Sequence, residues 1–198
     1  MDFAYKQEKP EYVPKFTEFP GTLRVMQDWV DTYIKPEESV HRPKSLIVWG
    51  PSRMGKTEWA RSLGRHTYFQ GMFNLDVLDE DADYVVMDDI PPKYFGSYKQ
   101  WMGGQRDFNV TDKYRKKKQV AGGWPCIILM NTDPREVAEW DQAWVAKNAV
   151  FVYLNHEMWH PAPDGANGEY ERPPVPEDIV YLEDVMDIRS VGRRPRNN

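Results

Sequence analysis

Residues Gly50, Pro51, Ser52, Arg53, Met54, Gly55, Lys56 and Thr57 follow the order G-x-x-x-x-G-K-[ST]. That spacing suits a loop wrapped around phosphate oxygens. Glycines let backbone N–H groups converge on an anion, and a helix beginning at the loop's end adds positive potential. Lys56 is placed to hold β- and γ-phosphates, and Thr57 to offer its hydroxyl to Mg²⁺. ATP and Mg²⁺ are therefore the expected cofactors. The flanks fit the motif. The apolar run Leu46, Ile47, Val48, Trp49 predicts a buried parallel strand before the loop, and Glu58 to Leu63 predicts a helix after it.

Two further strand ends carry polar chemistry. Tyr84 to Met87 is a short apolar run that reaches Asp88 and Asp89. A buried strand ending in carboxylates can place Asp88 on a metal ion beside the phosphate loop, while Asp89 orients or deprotonates water. An Asp pair opening a turn before Pro91 and Pro92 has the same sequence signature. Cys126 to Met130 forms a third apolar run and ends at Asn131. There an amide can sense a γ-phosphate, or simply begin a turn. Strands alternating with helices predict a parallel sheet with its ligand at the carboxyl ends, where all three signals lie.

Between the second and third signals lies Lys113-Tyr114-Arg115-Lys116-Lys117-Lys118. This run predicts the basic tip of a hairpin, suited to a nucleic-acid backbone, with Tyr114 free to stack on a base. A solvated tip is the alternative. Lys99 and Arg106 bracket an aromatic segment in which Trp101 and Phe108 read as core. The chain of 198 residues has net charge −5, which excludes a generally nucleic-acid-coating surface but not a local basic site. A 40% hydrophobic content supports one sizeable core. The one cysteine, Cys126, excludes an internal disulfide, fits a reducing compartment and reads as a buried thiol. No run approaches the ~20 apolar residues of a membrane span, so no membrane partner is expected. Lys6, Glu8 and Lys9 precede any apolar run, unlike a secretory leader. His41, His66, His156 and His160 lack the spacing of metal ligands.

The elements that must position these residues fall into three parts. Residues 1–40 predict a proline-bearing extended arm and a helix from Leu23 to about Ile34, capped by Thr22. Residues 41–156 predict the α/β domain. Residues 157–198, rich in proline and charge, predict a loose tail ending in Arg189, Arg193, Arg194 and Arg196.

The stretches GPSRMGKTEWARSLG, VVMDDIPPKYF, YKQWMGGQRDFNVTDKY, GGWPCIILMN and WVAKNAVFVYL, in this order, closely resemble the helicase part of the replication initiator Rep. That is the Rep of geminiviruses and genomoviruses, viruses with circular single-stranded DNA. The resemblance runs from about Tyr12 to Leu154. It implies a superfamily 3 helicase with a P-loop, AAA+-like parallel-sheet ATPase domain and a small N-terminal helical oligomerisation region. It further implies a ring, usually hexameric, with ATP between subunits and 3′-to-5′ movement on single-stranded DNA. The setting would be the host cell nucleus, with host replication factors as further partners. By matching motif, Lys56 and Thr57 would serve phosphate and Mg²⁺, Asp88 the metal, Asp89 the water and Asn131 the sensor. Lys99 to Arg106 would be the B′ motif, and Lys113 to Lys118 the pore hairpin with Lys116 on DNA. Two departures stand out. No His-hydrophobe-His nicking motif occurs, and no room is expected for such a domain before the arm. Where many relatives carry paired arginines that reach a neighbouring subunit's nucleotide, this sequence reads Lys147-Asn148; by the resemblance Lys147 would partly fill that catalytic role, although lysine lacks arginine's planar fork.

The expected activity is an ATP-driven DNA helicase motor in rolling-circle replication. Two other classes share parts of the signature. One is a nucleotide-switched, DNA-binding assembly module without unwinding, and the other is a small-molecule kinase, which the absence of an arginine-rich lid disfavours.

Overall fold

The computed structural model describes residues 12–35, 42–111 and 117–171. Five parallel strands form the central sheet. They are β1 (Ser45–Trp49), β2 (His66–Gln70), β3 (Tyr84–Asp88), β6 (Cys126–Met130) and β7 (Ala149–Tyr153), in the order β2-β3-β6-β1-β7. Two antiparallel strands, β4 (Arg106–Val110) and β5 (Lys118–Gly122), form a hairpin in the connection from β3 to β6. Among the described residues, four α-helices accompany the sheet: α1 (Arg24–Tyr33), α2 (Lys56–Arg61), α3 (Tyr98–Met102) and α4 (Gln142–Asn148).

The continuous apolar runs of β1, β3 and β6 follow from burial on both faces, and every residue of these strands is buried. Alternation along the strands divides the core in two. Leu46, Val48, Val86, Ile127 and Leu129 face one side, where Met26, Trp29 and Val30 of α1 and Trp59 of α2 cover them. Ile47, Val85, Met87 and Ile128 face the other, under Trp101, Phe108, Trp140 and Val145. The reading of Trp101 and Phe108 as core agrees with their exposures of 2% and 5%. The expected N-terminal helix is thus a covering layer of this sheet.

Three local expectations change. Helix α1 begins at Arg24, and Thr22 does not cap it, because its hydroxyl donates to the Phe19 carbonyl (2.7 Å). Helix α2 covers Lys56–Arg61, so Lys56 and Thr57 belong to its first turn. The first part of the expected loose tail, residues 157–171, packs onto the domain. Met158 is fully buried, and the Gly168 carbonyl accepts from the Tyr153 backbone N–H (2.7 Å), covering the outer edge of β7. Tyr170 packs its ring on Trp49 and Tyr153. Among the described residues, no helix is long and apolar enough to cross a membrane.

Candidate functional site

The loop of residues 50–55 leaves the carboxyl end of β1, which lies between β6 and β7 in the sheet. Its shape depends on glycine at both ends. Gly50 has φ 146° and lies so close to the chain after β7 that an added Cβ would come within 2.0 Å of the Leu154 carbonyl oxygen. Gly55 sits just before α2 at φ 91°, a left-handed conformation that costs a residue without Cβ little. The Met54 carbonyl accepts from the Met158 N–H (3.0 Å), which ties the loop to the segment after β7.

The five residues expected to handle the triphosphate meet at these strand ends. Lys56 is 7% exposed, and its Nζ donates to the carbonyls of Gly50 (2.8 Å) and Pro51 (2.7 Å) and to Asn131 Oδ1 (3.1 Å). Asn131 Nδ2 donates in turn to both carboxylate oxygens of Asp89 (3.0 and 3.1 Å). Thr57 Oγ1 donates to Asp88 Oδ2 (2.8 Å). Asp89 has φ 50°, a left-handed turn that aspartate tolerates better than most residues, and its backbone N–H donates to the Leu129 carbonyl (3.1 Å). Adjacent β3 and β6 therefore bring the carboxylates and the amide together across the sheet.

Burial lowers the Lys56 pKa, opposed by the nearby charges of Asp89 and Asp88. Burial raises that of Asp89, and Asp88 adds to the rise, against Lys56 and the Asn131 hydrogen bond. A carboxylate made more basic in this way is a better proton acceptor at neutral pH. No group of three or more His, Cys, Asp or Glu able to hold a metal occurs among the described residues. A dedicated protein cage is thus absent there. One carboxylate beside one hydroxyl instead suits Mg²⁺, which takes few protein ligands and completes its shell with phosphates and water. Thr57 and Asp88 would hold that ion, and Lys56 with the loop would hold ATP phosphates.

Sequence reasoning missed a second side-chain donor to Asp88. The Tyr68 hydroxyl of β2 donates to the same Asp88 Oδ2 (2.8 Å). Its pKa is raised by burial and by Asp88, so it remains a protonated donor. The ring of Tyr68 lies 4.1 Å from the Arg61 guanidinium, and the ring of Tyr12 lies 3.6 Å from the same group. The only sequence signal was a short β-prone run, Thr67-Tyr68-Phe69, between the helix and the acidic strand.

The expected DNA-contacting residues are dispersed. Lys113, Tyr114 and Lys116 lie outside the described residues. Lys117 is exposed. Lys118 pairs with Glu80 (2.6 Å) and Lys99 with Asp141 (2.8 Å). Exposed pairs of this kind are weak and exchange readily. Arg106 opens β4 and lines a cavity of about 350 Å³ with Asp83 and Asp107. Lys147, on the last turn of α4, is exposed at the amino edge of the sheet, opposite the phosphate loop of its own chain.

The parallel sheet, the glycine-ended loop between β1 and α2, and the acidic end of β3 define an α/β domain of the P-loop kind. Residues 1–59 match the family model described as the geminivirus Rep protein central domain. The replication-associated protein of Tobacco yellow dwarf virus (strain Australia) is 50% identical over 110 residues, 54% of this chain and 33% of that protein. That of Bean yellow dwarf virus is 44% identical over 135 residues, 65% of this chain and 40% of that protein. That of Miscanthus streak virus (isolate 91) is 49% identical over 92 residues, 46% of this chain and 26% of that protein. The chain is similar to these replication-associated proteins, and the matches span 26% to 40% of their length. Among solved structures, a ligand-bound JCV helicase aligns with 57% of this chain and 35% of its own, at 15% identity and a TM-score of 0.36.

Proposed function

We propose that this chain carries the ATP-driven helicase motor of a viral replication initiator. The observation that supports it is the convergence of Lys56, Thr57, Asp88, Asp89 and Asn131 at the carboxyl ends of three adjacent strands. In this reading Lys56 exchanges its loop carbonyls for the β- and γ-phosphates of ATP, and Gly50 to Gly55 enclose the rest of the phosphate chain. Thr57 and Asp88 hold Mg²⁺, which when bound neutralises charge between the β- and γ-phosphates. Asp89 aligns the attacking water and accepts its proton. Asn131, hydrogen-bonded to both Lys56 and Asp89, ties phosphate binding to the position of that base.

The work done is movement along single-stranded DNA, 3′ to 5′, by a ring of identical chains, most simply a hexamer, in the host cell nucleus alongside host replication factors. The hairpin of β4 and β5, with the lysines of residues 113–118, grips the strand. Lys147, remote from its own loop, is available to a neighbour's nucleotide. An ATPase assay with and without single-stranded DNA tests the whole reading. Hydrolysis stimulated by DNA and abolished in Lys56→Ala is expected. Full activity in Lys56→Ala would refute the site. Hydrolysis indifferent to DNA would favour a nucleotide switch instead, and phosphoryl transfer to a small acceptor a kinase.

A further inference from the structure

Tyr68 stands opposite Val86 in the pairing of β2 with β3, where Gln70 stands opposite Asp88. Asp88 is therefore the diagonal neighbour of Tyr68 on the same sheet face, a distance that only a long side chain spans. The phenol covers it with its ring and ends in a hydroxyl 2.8 Å from Asp88 Oδ2. Thr57 Oγ1 reaches the same oxygen from α2 at the same distance. The carboxylate is thus held from two sides, by a helix and by an edge strand, and cannot turn about Cβ–Cγ without breaking both bonds.

The phenol is itself fixed. The Arg61 guanidinium lies between the rings of Tyr68 (4.1 Å) and Tyr12 (3.6 Å), and its Nε donates to His66 Nε2 (3.2 Å). The Tyr12 hydroxyl donates to Glu58 Oε2 (3.3 Å), which anchors the outer ring to α2. Guanidinium stacked between aromatic faces combines cation–π attraction with planar packing, which lysine does not reproduce.

We propose that Tyr68 is a positioning residue for the divalent-cation carboxylate Asp88, with Arg61 and Tyr12 setting the plane of its ring. The inference rests on the ATP-site reading above. Removal of one hydrogen-bond partner behind a metal-binding carboxylate costs about 10-fold or more in metal affinity. The test uses the full chain with Mn²⁺ as an electron-paramagnetic probe of the cation, titrated in the presence of ATP. Tyr68→Phe keeps the ring and should weaken Mn²⁺ about 10-fold, while ATP affinity in EDTA stays at the wild-type value. Arg61→Lys should lose Mn²⁺ affinity in the same direction but less.

Mn²⁺ affinity in Tyr68→Phe equal to wild type would overturn the role of Tyr68. So would an equal loss of metal-free ATP binding, which would mark general distortion. Wild-type affinity in Arg61→Lys would remove Arg61 from the arrangement. The underlying reading fails differently, through a wild-type chain that binds no Mn²⁺ with ATP or a Lys56→Ala variant that binds ATP normally.

Discussion

At the scale of single side chains, His66 shows how the interior behind the site selects a charge state. Its Nδ1 lies 2.8 Å from the Gly64 carbonyl and its Nε2 accepts from Arg61 Nε (3.2 Å), so the ring is neutral with its proton on Nδ1. It stacks on Tyr84, with centroids 5.4 Å apart. Burial lowers its pKa below the ordinary 6.5, Arg61 adds to the drop, and the Gly64 hydrogen bond opposes it. The folded chain therefore binds fewer protons here than the unfolded chain as pH falls below that ordinary value. Stability is lost through this window and is fully present above it. Thermal melts from about pH 7 to about pH 5 should fall more steeply for wild type than for His66→Gln. Parallel curves would show that His66 titrates alike in both states.

Among elements, the closest approach is that of the phosphate loop to the chain leaving β7. The Leu154 N–H donates to the Trp49 carbonyl (2.8 Å), which carries the pairing of β1 and β7 one residue further, and Gly50 fits beneath it. Gly50→Ala would drive a Cβ to within 2.0 Å of the Leu154 oxygen, so the two segments must separate. A loss of about 3 kcal/mol in denaturant melts is expected, with weakened ATP binding. Stability within about 0.5 kcal/mol of wild type would mean that the loop yields at no cost. These close approaches also explain what the sequence could reveal. Strands β1, β3 and β6 were legible because burial on both faces forces unbroken apolar runs ending in functional residues. Strand β2 was not, since an edge strand mixes His66, Thr67 and Gln70 with its buried Phe69. Nor was the meeting of Tyr12, Arg61 and Tyr68, because no local periodicity encodes a contact across 49 residues of chain, the separation of Tyr12 and Arg61. The packed segment 157–171 looked loose for a related reason: it is held by a few long-range contacts rather than by regular structure.

For the whole molecule, the proposed division of labour is spatial. The nucleotide residues gather at the carboxyl edge of the sheet, while the hairpin lies in the connection between the strand bearing Asp88 and the strand that precedes Asn131. A chain of net charge −5 must bind a polyanion through a local patch. Replacing Lys116 and Lys117 with Gln should weaken single-stranded DNA binding. It should also flatten the log–log salt dependence by about 0.7 for each phosphate that is no longer neutralised. An unchanged slope would take the hairpin out of DNA binding. ATP hydrolysis without DNA should be unaffected by this change, because neither lysine belongs to the nucleotide cluster.

Cys126 lies at the start of β6, 1% exposed, with Sγ 3.3 Å from the Trp101 carbonyl. Burial pushes its thiol pKa up, so little thiolate forms. The protein is consequently inert to maleimide in its native state, although it is not free of cysteine. One cysteine introduced at exposed Lys117 would accept a single fluorophore, and movements of the hairpin base could then be followed in real time without first removing a core residue.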